Sequence, residues 1–292
     1  MASILSAWLR LLRIALLPTL VWDVLAGAWL AGAAWSPALL PVLVAGLCVY
    51  HGGMALNDFA DRKEDARHRP ARPLPGGRIS PAQALGAGLG FLMTALGVAL
   101  LGLPSPAILM VAGLCILVLV YDLGGPLIRG GPGPLLLALA RGGSLNLAAL
   151  ALGQTPSTRD GLLRATGAYV LWFLFTARLA RKEESGTSRI RGLQYLILTA
   201  ATPLLLVIQR PFSPGVLGGW LLLAAWLVGP ELRRGGLSWS PPRVEAAVRR
   251  CLGGAPLLLG LALLEEGIPW GLPFALLVSG TVRLLARRYP PE

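Results

Sequence analysis

The chain has 292 residues, 55% of them hydrophobic and only 14% charged, with a mean hydropathy of +0.66. Those values exclude an ordinary soluble enzyme and fit a protein that crosses a membrane many times. The net charge of +12 is concentrated in a subset of loops, which points to membrane topology; no interleaved aromatic-basic module is present to suggest nucleic-acid binding.

Apolar runs lie near 14–35, 38–56, 81–103, 106–121, 134–153, 161–178, 193–209, 214–230, 251–264 and 269–286. Arg10 and Arg13 precede the first run, which is longer than the apolar core of a signal peptide and is read as a retained span. The ten runs predict an all-α membrane bundle of nine or ten transmembrane helices, with residues 1–292 forming one integral-membrane domain. The 37 glycines and 24 prolines suit closely packed membrane helices. Segments 57–80, 178–191 and 231–250 and both termini are rich in Arg and Lys, whereas the alternate loops carry none or one. The basic set is therefore expected on the cytoplasmic side of a bacterial-type inner or plasma membrane, and a cytoplasmic C-terminus favours ten spans. Within 231–250, Pro241-Pro242 and the arginines that follow predict a short interfacial helix. Cys48, Cys115 and Cys251 are scattered through apolar runs and form neither a disulfide framework nor a metal set.

The second apolar run ends in NDFADRKEDARHRPARPLPGGRIS, residues 57–80. Asn57, Asp58, Asp61 and Asp65 are spaced so that 57, 61 and 65 stack along one helical face, one turn apart. Oxygen donors without thiols suit Mg²⁺, which takes one or two carboxylates together with substrate phosphates. Arg72 and Arg78 flank a Pro/Gly turn, and guanidinium groups grip phosphate oxygens bidentately. Taken alone, the stretch is equally compatible with a solvated loop of mixed charge.

NDFADRKED resembles the first aspartate-rich motif, N-D-x-x-D-x-x-x-D, of the UbiA prenyltransferase superfamily, and ARPLPGGRIS is similar to the segment that follows it there. The opening residues Pro18, Thr19, Trp22 and Asp23 are similar to the family's first helix, and within the family the chain resembles the EboC-like branch. The resemblance implies a helical bundle around a central cavity, with two acidic loops facing each other at its cytoplasmic mouth. It implies Mg²⁺ bridging those loops to an isoprenyl diphosphate, and a small hydrophobic or aromatic acceptor that captures the prenyl cation within the lipid bilayer. By position, Asn57, Asp58, Asp61 and Asp65 are implied metal ligands, Asp61 and Asp65 are central to catalysis, and Arg72 and Arg78 contact diphosphate.

The second acidic loop, after the sixth span, departs from that pattern. Residues 177–186 contain no aspartate. Glu183 and Glu184 remain as candidate ligands, although adjacent residues on a helix point about 100° apart. Arg178, Arg181 and Lys182 are the alternative, binding diphosphate directly in place of a second cation. Tyr121 closes the fourth run and is a candidate for stabilising the carbocation through its ring, or else an interfacial tyrosine. Asp23 and Asn146 lie well inside apolar runs. A carboxylate there is expensive, so Asp23 is a candidate for acceptor binding or general-base chemistry, or else pairs with an arginine such as Arg141. His51 reads as a packing residue and His68 as solvated. Two functions follow: an Mg²⁺-dependent intramembrane prenyltransferase, or a degenerate relative that binds or moves a lipid or metabolite.

Overall fold

The structure is a computed structural model and describes residues 4–33, 36–154, 159–208 and 213–289. Twelve α-helices account for nearly all of it: α1 Ile4–Leu11, α2 Leu17–Leu30, α3 Leu39–His68, α4 Pro81–Gly102, α5 Ser105–Leu123, α6 Gly125–Gly130, α7 Gly133–Ala151, α8 Asp160–Ala180, α9 Arg189–Ala201, α10 Pro214–Arg233, α11 Pro241–Glu265 and α12 Gly271–Arg288. Two-residue strands, β1 Thr187–Ser188 and β2 Ser238–Trp239, pair antiparallel and tie the loop after α8 to the loop before α11. The helix starts follow local chemistry. Ser80 caps α4 in a reciprocal capping box with Gln83, and Pro81 fills the first position, where a missing N–H costs nothing. Ser188 and Ser213 cap α9 and α10 in the same side-chain manner.

Within the described residues each of the ten apolar runs coincides with helix, but fewer than the expected nine or ten spans qualify by length and composition. Among the described residues seven helices are long and apolar enough to cross a membrane: α3, α4, α5, α7, α9 with its 3₁₀ extension to Val207, α10 and α11. An eighth is added if α1 and Ile14–Leu30, bent by 50°, count together. The correction falls on α8 and α12. Helix α8 carries Arg164, paired with Glu266, and exposed Arg178 in its last turn, yet buries Leu162, Tyr169, Trp172 and Leu179 almost completely. Arg283, Arg287 and Arg288 similarly lower the apolarity of α12. The expected interfacial helix at 241–250 is also corrected: those residues are the first turns of α11, continuous to Glu265.

Two hydrophobic cores share α2 and α7. One gathers Val24, Ala28, Leu147 and Ala148 with α3, α4 and α5; the other gathers Trp22, Ala26, Leu145 and Ala149 with α8 to α12. The two helices approach closely because Gly27 lies against the backbone carbonyl of Leu145, where any Cβ would collide. Gly27→Val is therefore expected to cost about 2 kcal/mol or more by forcing the helices apart, read as a lower melting temperature in detergent. An unchanged melting temperature would show that α2 and α7 separate freely. Gly52 and Gly88 play the same part between α3 and α4: a Cβ on Gly52 would come 3.0 Å from the Gly88 carbonyl oxygen.

Candidate active site

Helix α3 has 30 residues, about 45 Å of rise against a hydrocarbon core of about 30 Å. Its last third, from Asn57 to His68, therefore extends past the apolar layer as a rigid post, and the aspartate-rich motif sits on that post rather than in a flexible loop. The turn that follows is fixed by Gly77 at φ 68° and by Arg78, whose Nη2 donates to the Ala71 carbonyl at 2.5 Å. That turn carries Arg72 back to the post.

Four residues expected to bind metal lie here, and an arginine reaches each of them. Arg72, itself buried, donates from Nη1 to Asp65 Oδ2 at 2.7 Å and lies 3.8 Å from Asp58 Oδ1. Arg13 Nη2 lies 3.5 Å from both Asn57 Oδ1 and Asp58 Oδ1. Asp61 is ion-paired with Arg129 of α6. Asn57 Nδ2 donates to Asp122 Oδ1 at 3.2 Å, which draws the end of α5 into the same cluster. Arg129 also donates from Nε to the Tyr121 carbonyl at 3.2 Å and from Nη2 to the Asp122 carbonyl at 3.0 Å, and its guanidinium lies 5.6 Å from the Tyr121 ring centroid. Four carboxylates (Asp58, Asp61, Asp65, Asp122) thus face three arginines (Arg13, Arg72, Arg129), leaving a formal charge of −1. Burial lowers the Arg129 pKa from its ordinary value, a penalty on the charged form that its pairing with Asp61 opposes.

By donor chemistry the set suits a hard divalent cation, but among the described residues only Glu64, His68 and Glu184 bring three ligand atoms within 4.8 Å of one another; Asp58, Asp61 and Asp65 do not. The motif offers one amide and three carboxylates from a single rigid helix, all oxygen donors with no thiol or imidazole among them. The cost is the existing arginine pairing, which a cation has to displace.

The loop after α8 does face the motif helix. Glu184 lies 3.9 Å from Arg69 Nη2, and ligand atoms of Glu64, His68 and Glu184 fall within 4.8 Å of one another in an exposed group. Glu184 therefore meets α3 beside Glu64 and His68. Glu183 is half-buried; burial pushes its carboxyl above the usual range, with Arg69, Arg249 and Arg13 opposing and Glu245 adding to the shift. Arg178 and Arg181 are exposed and Lys182 half-buried, and none is engaged in an ion pair among the described residues.

Asp23 belongs to a separate cluster within the bundle, where it pairs with Arg141 at 3.2 Å and accepts from Tyr169 Oη at 2.5 Å. The pairing anticipated for it with Arg141 is thus present. Asn146 Nδ2 bonds the Gly142 carbonyl and Thr166 Oγ1. His51 Nδ1 lies 3.0 Å from the Leu12 carbonyl and secures the bend between α1 and the following 3₁₀ turn, a packing role.

Sequence reasoning does not reach three members of the site: Asp122, Arg129, and Arg13, which enters it only as a basic residue before the first apolar run. Arg13 has φ 48° and is the one non-glycine residue with positive φ among those described. A side chain in the left-handed region is uncommon and costs about 1 kcal/mol or more. Here it aims the guanidinium at the motif.

The model of the UbiA prenyltransferase family matches residues 20–235. A digeranylgeranylglyceryl phosphate synthase of Methanothrix thermoacetophila is 49% identical over 63 residues, which cover 21% of this chain and 24% of the relative. A 4-hydroxybenzoate octaprenyltransferase of Pseudomonas putida is 44% identical over 71 residues, 23% of this chain and 24% of the relative. The chain thus matches about a quarter of the length of these curated relatives. The fold is similar to a solved digeranylgeranylglyceryl phosphate synthase, with a TM-score of 0.62 at 14% identity over 94% of this chain and 99% of the other. It is also similar to a UbiA homologue from Archaeoglobus fulgidus bound to GPP and Mg²⁺, with a TM-score of 0.54 at 15% identity over 89% and 99% of the two chains. With the complete motif set on α3 and the family model spanning α2 to α10, this integral membrane protein belongs to the UbiA prenyltransferase family.

Proposed function

We propose that the chain is an intramembrane prenyltransferase that moves a prenyl group from an isoprenyl diphosphate to a small hydrophobic or aromatic acceptor. The observation that carries this reading is the convergence of Asn57, Asp58, Asp61 and Asp65 with Arg13, Arg72 and Arg129 at the end of α3. Asn57, Asp58, Asp61 and Asp65 would hold Mg²⁺, and Glu184 is the better placed of the two glutamates to reach it from the opposite loop. Bound there, Mg²⁺ supplies Lewis-acid stabilisation of the charge on the leaving diphosphate. With the aspartates holding the cation, Arg13, Arg72 and Arg129 would be free to grip the diphosphate oxygens, and Arg178, Arg181 and Lys182 would add positive charge from the facing loop. Arg78 braces the turn that presents Arg72. Tyr121, stacked beneath Arg129, is positioned to shield an allylic cation with its ring face.

The whole chain is read as one domain, supported by two hydrophobic cores that share α2 and α7. The motif side is read as cytoplasmic from the distribution of arginines, in an inner or plasma membrane of bacterial type. Membership of the EboC-like branch rests on resemblance alone.

Arg13 offers a selective test. Arg13→Gly suits the left-handed backbone, so the melting temperature is expected to hold or rise while Mg²⁺-dependent geranylgeranyl diphosphate binding weakens roughly tenfold. Undiminished binding would remove Arg13 from the site. For the activity itself, purified protein is incubated with geranylgeranyl diphosphate, Mg²⁺ and a lipid and metabolite extract, and prenylated products are sought by mass spectrometry. A prenylated product supports the transferase. Tight binding of an isoprenoid or aromatic metabolite without diphosphate release would instead identify a lipid-binding or transport component.

A further inference from the structure

Helix α9 starts at Arg189 and α10 stops at Arg233, both on the side of the bundle where the loop after α8 faces the motif helix, and the β1–β2 ribbon lies just beyond them. Helix α10 has 20 residues, about 30 Å of rise, which matches the hydrocarbon layer. The ribbon therefore lies at headgroup depth. The apolar side chains beside it agree. Ile190, Leu232 and Leu237 are exposed, Leu237 at 91%, a poor arrangement in water but an ordinary one at the acyl boundary.

Between the ribbon and the start of α11 is an open cleft of about 500 Å³, whose walls include Ser185, Thr187, Ser238, Trp239, Ser240 and Arg243. Trp239 is firmly seated. Gly192 of α9 leaves room for its ring, and Gly186 for its carbonyl oxygen; a Cβ on either glycine would come within 2.5 Å. Trp239 is 1% exposed, yet its buried Nε1 has no hydrogen-bond partner. The Arg243 guanidinium lies 5.1 Å from the Trp239 ring centroid, and Arg243 Nε donates to Glu231 Oε2 at 2.6 Å. The hydroxyls of Thr187, Ser238 and Ser240 make no side-chain hydrogen bond among the described residues.

The missing bonds share one sign: an indole N–H only donates, and each hydroxyl has a proton to give. Charge points the same way. Arg234, Arg243 and Arg250 converge on buried Glu231. Arg189, next to Ser188 of β1, has no ion pair among the described residues. Four arginines thus face one carboxylate, leaving a formal charge of +3. A ligand for this cleft accepts hydrogen bonds and carries negative charge. At this depth the bilayer supplies one, the phosphate of an anionic lipid.

We propose that the cleft binds the headgroup phosphate of an anionic phospholipid, with Trp239 and the ribbon hydroxyls donating to its oxygens and Arg189 and Arg243 supplying the charge. Ser185 lines the cleft directly after Glu184, so the bound lipid also tethers the loop that meets α3. None of these residues belongs to the motif cluster, and the site stands whether or not the chain transfers prenyl groups.

The test is equilibrium binding of radiolabelled dioleoylphosphatidylglycerol and dioleoylphosphatidylcholine to the purified full chain in a neutral detergent. The anionic lipid is expected to bind about tenfold more tightly. Trp239→Phe, Arg189→Gln and the double change Ser238→Ala with Ser240→Ala are each expected to remove most of that preference. Arg287→Gln with Arg288→Gln, which strips more charge from the exposed end of α12, is expected to leave it intact. Equal binding of the two lipids, an equal loss in the α12 variant, or a preference unchanged in both Arg189→Gln and the double serine variant would overturn the proposal. Inorganic phosphate added at the concentration of the lipid is expected to displace none of it. Displacement would mark a site for soluble phosphate and overturn the lipid assignment.

Discussion

Asp61→Asn is expected to lower Mg²⁺-dependent release of diphosphate from geranylgeranyl diphosphate by roughly 10³-fold, the scale of losing a principal electrostatic stabiliser of leaving-group charge. The substitution keeps the side-chain shape and leaves an amide facing Arg129, so the chain is expected to express and melt close to wild type. The argument rests on position. Asp61 is the middle member of the 57, 61, 65 face, so removing its charge leaves Asn57 and Asp65 two turns apart, too far to act together. Arg129 would lose its charge partner Asp61 and keep only the more distant Asp122 carboxylate, 3.7 Å away. Turnover within threefold of wild type would show that the motif is not the metal site.

The largest stability effect is expected at the Asp23–Arg141 pair. Arg141→Met removes the counter-charge from fully buried Asp23 and is expected to cost about 3–5 kcal/mol, read from resistance to denaturing detergent. The double substitution Asp23→Leu with Arg141→Met should recover most of that loss, because the penalty comes from an unpaired charge and not from the pair itself. Equal loss in the single and double variants would mean that the two groups are not coupled. The pair also separates two kinds of evidence. Asp61→Asn is expected to impair chemistry with little change in stability, whereas Arg141→Met is expected to impair stability first.

The residues differ in how much of this the sequence revealed. The α3 motif was legible because one helix supplies all four oxygen donors at fixed spacing, so local periodicity is enough. The Asp23–Arg141 pairing was legible because a lone intramembrane carboxylate has few places to find a charge. Arg129 as the partner of Asp61, 68 residues away, and Asp122 as the partner of Asn57 were not legible, because nothing local fixes contacts between separate helices. Arg13 was hidden differently: its role depends on a left-handed backbone that no propensity predicts for arginine. The span count failed on α8 and α12 because hydropathy along a run does not distinguish a lipid-facing helix from an interior one. Burial of Trp172 and Tyr169 makes α8 an interior helix despite its charges. The facing loop remains the weakest part of the sequence reading. Glu183 and Glu184 both lie near Arg69, and Glu183 also feels Glu245 and Arg249.

The arginine pairing across the motif gives the account a distinctive consequence. A cation alone must displace guanidinium groups to reach the aspartates, and a diphosphate alone meets those aspartates as like charges. Each ligand relieves the obstacle to the other, so the two should bind with strong positive coupling. The most direct test is a titration of geranylgeranyl diphosphate into the purified chain in nanodiscs, with Mg²⁺ and with chelator. The expected result is an affinity at least tenfold higher with Mg²⁺, a gain lost in Asp61→Asn. Binding that is indifferent to chelator, or no binding of geranylgeranyl diphosphate or of shorter and longer donors, would contradict the assignment of the α3 motif as a metal-diphosphate site.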